Sequence, residues 1–169
     1  FEVKRLRDGA LPGASDDMIA AYREDYNTLA NKVSACGMIL GESMKRVDAM
    51  AVAVGRLDAD ASNLFDQLHD LKMELMTLDE AMNGNRSKGE IGERNAPNVR
   101  SRMSVARRGL STTYGPTPLH KESMQIAQKE LASLMPKVKA IASERIPRME
   151  EQLSNMGAPW IEGQPLPKE

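Results

Sequence analysis

Apolar side chains recur at steps of three and four through Tyr22, Tyr26, Leu29, Val33, Cys36, Leu40, Met44, Val47, Ala51 and Val54. That spacing keeps them on one stripe of a helix. Ser15 or Asp16 can accept from the free amides of the first turn, and Asp17 adds negative charge where a helix N-terminus favours it. The pattern predicts a helix of about 40 residues, roughly 60 Å long at the usual rise. Gly37 and Gly41 interrupt it at about 1 kcal/mol each relative to alanine. Their four-residue separation sets both on one face, where another backbone can approach closely.

Gly55 and the Asp58-Ala-Asp60-Ala-Ser62 stretch read as a turn with caps. Leu64, Leu68, Leu71, Leu75, Leu78 and Met82 then alternate steps of four and three, the cleanest helical pattern in the chain. Asn83-Gly84-Asn85 stops it, because Gly and Asn accept the left-handed conformation of a helix C-cap. Residues 83–98 show no periodicity and hold Gly89, Gly92 and Pro97, so they read as a long exposed loop. Val99, Met103, Ala106 and Leu110 give a short helix one narrow apolar face, ended by Gly109 or Ser111-Thr-Thr113.

Tyr114-Gly115-Pro116 reads as a turn, with Thr117 as N-cap and Pro118 as first helical residue, where a missing N–H is harmless. The last stripe runs Met124, Ala127, Leu131, Leu134, Val138, Ile141 or Ala142, Ile146, Met149, Leu153 and Met156. Pro136 and Pro147 lie inside it, and each removes a hydrogen bond and crowds the preceding turn, so the helix is expected to bend or break. The two fall near one face, the convex side of a helix curving around its neighbours.

Such helices can hide their stripes only against each other. The fold expected is all-α: an up-and-down helical bundle of three long helices and one short helix, with the 83–98 loop carrying the chain across one end. Residues 14–160 form the bundle and 161–169 a C-terminal tail. Phe1-Glu2-Val3-Lys4 alternates as the end of a half-buried strand does, so 1–13 reads as the end of a preceding β domain with its connector.

Composition agrees with helices. Aromatics are 4% of the 169 residues while Met reaches 12, a core of aliphatic and thioether groups rather than that of a β-sandwich. A formal charge of -1 with 28% charged residues argues against a polyanion-wrapping arm. Apolar runs fall far short of the roughly 18 residues a membrane span needs. The single cysteine, Cys36, can form no internal disulfide and sits on the first stripe as a small hydrophobe.

Chemistry-bearing patterns are scarce. A carboxylate-bridged di-iron bundle needs Glu-x-x-His on two helices. Asp66-Gln-Leu-His69 is the nearest match, and the other histidine, His120, has Thr117 three residues before it. Both histidines flank the stripes and read as surface or rim residues. No P-loop, dinucleotide fingerprint or nucleophile elbow occurs. No catalytic, cofactor-binding or metal residue is assigned, and no cofactor is expected.

One electrostatic feature stands out. Residues 86–108 hold Arg86, Lys88, Arg94, Arg100, Arg102, Arg107 and Arg108 against Glu90 and Glu93, a net charge of +5 in a chain that is otherwise acidic. Interleaved aromatics or a recognition-helix pattern would signal nucleic acid, and neither is present. The guanidinium forks are expected to pair with acidic helix flanks or a neighbouring domain.

Tyr114-Gly-Pro-Thr-Pro-Leu-His120, then Ile126-Ala-Gln-Lys-Glu130-Leu131, then Gly157-Ala158-Pro159-Trp160 resemble, in this order and spacing, the C-terminal region of large exported bacterial proteins with sortilin-like BNR-repeat β-propellers, often described as glycosyl hydrolases. Asn95-Ala-Pro97 with Arg100 or Arg102 also looks like a segment of that family, and the resemblance covers about residues 95 to 163. It implies that propeller blades lie upstream, that the parent is exported, and that any sugar chemistry sits elsewhere. The Asp-box run Ser-x-Asp-x-Gly-x-x-Trp does not precede Trp160. Read from the residues alone, Gly157 caps the helix, Pro159 ends it and Trp160 folds back as an apolar plug.

The expected role is a noncatalytic structural or protein-interaction module. Its partners would be the upstream β-propeller, another protein or a second copy in a homodimer. The alternatives are an accessory part of a glycan-processing site formed with the propeller, through the arginine-rich 86–108 segment, and a free-standing cytosolic adaptor.

Overall fold

The structure, a computed structural model, describes residues 12–57, 61–162 and 164. The regular elements among them are helical: α1 Asp16–Val54, α2 Ser62–Asn83, α3 Arg86–Glu90, α4 Val99–Arg108, α5 Pro118–Ala140, a π-helical turn Ile141–Arg145, and α6 Ile146–Asn155. The all-α bundle with three long helices and a short one is therefore present. The strand expected at Phe1–Lys4 lies outside the described residues, as do Asp58 and Asp60 of the expected capped turn. α2 starts after Ala61, whose side chain makes no capping bond. Within 83–98 the structure corrects the plain loop, because Asn85 accepts from the Lys88 N–H at 3.1 Å and caps the five-residue α3.

Cross-element contacts give the directions of the helices. Arg100 at the start of α4 lies against Gly37, and Ala106 near its end meets Tyr22. α2 and α4 therefore follow one another as one rod antiparallel to α1. On the other side His120 meets Tyr22 and Glu150 meets Arg46, so α5, the π turn and α6 form a third rod parallel to α1. The 84–98 segment sits in the middle of the second rod instead of crossing one end. α2 alone is about 33 Å long and α1 about 58 Å, so a second helix is needed to cover the rest of the α1 stripe.

The α2 stripe is buried in full, from Leu64 to Met82. On α1 the structure shifts the expected register in its second half: Ser43, Met50 and Ala53 are buried, while Met44 and Ala51 are only partly so. A straight helix drifts about 20° per heptad against a strict repeat, and over this length the seam moves to the adjoining positions. Ser43 tolerates burial because its hydroxyl donates to the Ile39 carbonyl at 2.8 Å.

The third rod carries the expected interruption, in a specific form. Its buried positions run Leu131, Leu134, Val138, Ile141, Ile146, Met149 and Leu153, so one step is five residues long. The Ile146 N–H donates to the Ile141 carbonyl, a π-type bond that absorbs the extra residue and returns Ile146 to the core. Pro147 follows at once, where the wide turn relieves its ring of the carbonyl four residues back. Pro136 and Pro147 are both exposed, on the outer side of the rod.

At the C-terminus Gly157 adopts φ +78° as expected of a cap. Trp160 is 52% exposed, which corrects the plug. Ala158 and Ile161 pack against the core in its place.

Candidate functional site

The Tyr114–His120 stretch folds into a corner joining all three rods. Gly115 has φ +83°, and a Cβ there would lie 2.7 Å from the Ala14 side chain, so only glycine fits. Ala14 donates its N–H to the Tyr114 carbonyl at 2.9 Å, tying the chain before α1 to this turn. Thr117 and Pro118 then open α5 as expected. His120 is buried rather than at the surface, and its Nδ1 accepts from the Thr117 N–H at 3.1 Å. Burial is needed because this ring covers the start of α5 against Gly109, where a Cβ would lie 3.0 Å from the His120 Cβ. Tyr22 completes the corner, its hydroxyl placed to donate to the carbonyls of Ala106 at 2.8 Å and His120 at 3.2 Å. Burial, and secondarily the neighbouring Tyr26, pushes the Tyr22 phenol above its ordinary value.

Ion pairs lock the other levels of the bundle. Arg46 on α1 and Glu150 on α6 pair through both carboxylate oxygens, with the Glu150 side chain 6% exposed. Arg102 on α4 donates through Nε to both oxygens of Glu130 on α5, at 3.0 and 3.2 Å. Arg145 in the π turn reaches Glu74 on α2. The Arg46–Glu150 pair was not singled out from the sequence, although a signal existed. Glu150 stands four residues after Ile146 and three before Leu153, a carboxylate on an apolar stripe.

The basic segment divides. Arg102 pairs with Glu130 as expected of an acidic helix flank, Arg86 pairs with Glu90 one turn away, and Arg100 donates to the Asn83 side chain. The Arg100 guanidinium occupies the space over Gly37, where a Cβ would lie 2.9 Å from Nη2, while Gly41 has nothing within 4 Å. This corrects the expectation of a backbone packed on both glycines. Lys88, Arg94, Arg107 and Arg108 are exposed, and no ion pair joins them to another described residue.

His69 is exposed on α2, far from the His120 corner. Among the described residues no group of three His, Cys, Asp or Glu is arranged to hold a metal ion. Cys36 is buried on α1, and burial raises its thiol above the ordinary value, away from the reactive thiolate. Among the described residues the surface carries open grooves, of which two lie between helices of the bundle. One, of about 470 Å³, lies between α1 and α5, with Glu24, Asp25, Lys32 and Gln128 over Leu29 and Leu131. The other, of about 420 Å³, lies between the start of α2 and the end of α6 and is rimmed by Asn63, Gln67, Gln152 and Asn155. Side-chain amides, the Thr28 hydroxyl and surface charges of this kind suit contact and solvation. No helix among the described residues is long and apolar enough to cross a membrane.

Comparison of the chain with protein-family models, with curated proteins and with solved structures gave no match.

Proposed function

We propose that this chain is a noncatalytic helical module at the C-terminal end of a large exported protein of the sortilin-like BNR-repeat propeller type, where it buttresses the propeller or presents a face to another protein. The observation that carries the noncatalytic part is the use made of buried polar groups. Ser43 bonds back along α1, Asn98 caps α4, His120 closes the start of α5, and Glu150 is held by Arg46. Asn98 and His120 serve helix starts and Glu150 ties α6 to α1, uses that support a structural role for these side chains. The propeller context rests on the Tyr114–His120 and Gly157–Trp160 resemblance. The corner built by the first of these gives it a structural purpose.

The test is to express the parent chain with and without residues 14–160, then measure propeller melting, partner capture and glycoside turnover. A lower melting temperature or lost capture, at unchanged turnover per folded propeller, is the expected result. Lost turnover with the propeller still folded would instead assign the bundle a share of a glycan site. An upstream sequence without β-repeats would overturn the propeller context.

A further inference from the structure

α2 and α4 form one rod whose two halves carry opposite charge. Residues 62–83 hold Asp66, Asp70, Glu74, Asp79 and Glu80 against Lys72, and residues 86–108 hold seven basic residues against two acidic ones. Internal bonds use part of this charge: Lys72 pairs with Asp48, Arg145 with Glu74, Arg102 with Glu130, Arg86 with Glu90, and Asp79 accepts from Asn83. What is left over is sorted by sign. Asp66, Asp70 and Glu80 are exposed on α2 without an ion pair to another described residue, and Lys88, Arg94, Arg107 and Arg108 are exposed in the same way beyond it.

The acidic half also carries apolar side chains that the bundle leaves outside. Phe65, Met73 and Met76 are each about half exposed, and with His69 they fall at steps of four, four and three on one stripe away from the buried leucines. Ile91, just after α3, is exposed beside the unpaired cations of the loop. A face with an apolar stripe rimmed by charge is the composition of a contact surface.

We propose that this face is the interface of an antiparallel dimer with a second copy of this chain, the acidic α2 of each protomer lying along the basic 86–108 stretch of the other. The charge order argues for this occupant. A two-fold interface brings the same surface together with itself, and a rod acidic at one end and basic at the other complements itself when reversed. A parallel pair would set like charges opposite each other. Reversal sets Asp66 and Asp70 of each copy toward Arg107 and Arg108 of the other. The inference rests on the reading of the chain as an interaction module.

Sedimentation velocity on the whole 169-residue chain tests it, run over a range of concentrations at about 0.05 and about 0.5 M NaCl. The expected result is a dimer whose dissociation constant rises at least about tenfold at the higher salt, because exposed charges are screened there. Arg107→Glu with Arg108→Glu sets acidic side chains against Asp66 and Asp70 of the other copy, and Asp66→Lys with Asp70→Lys sets basic side chains against its Arg107 and Arg108. Each double variant alone should be monomeric, and an equal mixture of the two should dimerise, since every contact then regains opposite signs. All four positions are exposed, and circular dichroism checks the fold. Should either double variant lose helicity, Arg108→Glu and Asp70→Lys serve as single replacements with the same mixing logic. A wild type that stays monomeric at low salt, variants that associate as the wild type does, or a mixture that fails to pair would each overturn the dimer. None of these bears on turnover by the parent, so failure of the dimer is distinguishable from failure of the module reading.

Discussion

Arg46 on α1 holds both carboxylate oxygens of Glu150 on α6, Nε to Oε1 at 2.8 Å and Nη2 to Oε2 at 2.6 Å. The guanidinium side chain is 24% exposed and the carboxylate side chain 6%, so the pair is half sheltered and joins the first rod to the end of the third. A two-pronged pair fixes geometry as well as charge. Arg46→Met strands a buried carboxylate and should cost about 3 kcal/mol, whereas Arg46→Met with Glu150→Leu should cost less than that single change. Denaturant unfolding of both variants and of Glu150→Leu measures the coupling. Additive losses would mean that the two side chains act independently.

Tyr22 makes the same point at the opposite end with a neutral group. Its hydroxyl bonds carbonyls at the ends of two other elements, so Tyr22→Phe should lose about 1 kcal/mol through the lost side-chain hydrogen bond. The phenol's folded pKa is raised by burial above the unfolded value. The folded state therefore holds its proton longer, and stability from this group is complete below the ordinary value of about 10 and lost as pH climbs through the raised folded value. Cys36, also raised by burial, adds an earlier part of the same alkaline decline. Thermal melts across alkaline pH should show a shallower fall in Tyr22→Phe and a later onset in Cys36→Ala.

What was legible in the chain follows from where the information lies. The α2 stripe could be read residue by residue because six apolar positions keep one spacing and a left-handed Gly84 closes it. The bundle class followed from such stripes, and Thr117-Pro118 marked the start of α5 from local chemistry alone. The stacking of α4 on α2 was not legible, since it depends on how far α2 falls short of the α1 stripe, a relation between distant segments. Periodicity also missed α3, which is too short to repeat, and it misplaced Trp160, because apolar character alone does not say that Ala158 and Ile161 fill the end of the core. Ser43 and Glu150 stood on stripes in plain view. Their burial depends on partners at Ile39 and Arg46, which periodicity alone does not reveal.

The five-residue step from Ile141 to Ile146 is a second feature whose purpose can be tested. Deleting the exposed Ser143 would restore a four-residue step and a continuous α-helical stripe, but would set the proline inside a regular helix. That deletion alone should cost about 3 kcal/mol. Combined with Pro147→Ala it should stand within about 1 kcal/mol of the wild type, because the proline rather than the core requires the wide turn. Chemical denaturation of the two variants decides it. Equal loss in both would show that the π turn is held by other contacts, such as Arg145 with Glu74.

Gly41 and Gly37 lie one turn apart in α1, yet their surroundings differ. A Cβ at Gly41 meets nothing within 4 Å, so Gly41→Ala should raise stability by about 1 kcal/mol through helix propensity and a less flexible unfolded chain. At Gly37 the added methyl would meet the Arg100 guanidinium, which also donates to Asn83. The arginine tip can swing aside, but only by disturbing that bond between α4 and the end of α2, which offsets part of the gain. Melting temperatures should therefore rise more for Gly41→Ala than for Gly37→Ala, and the gap should close once Arg100→Ala is added to both. A gap that persists without Arg100 would mean that something other than this side chain distinguishes the two glycines.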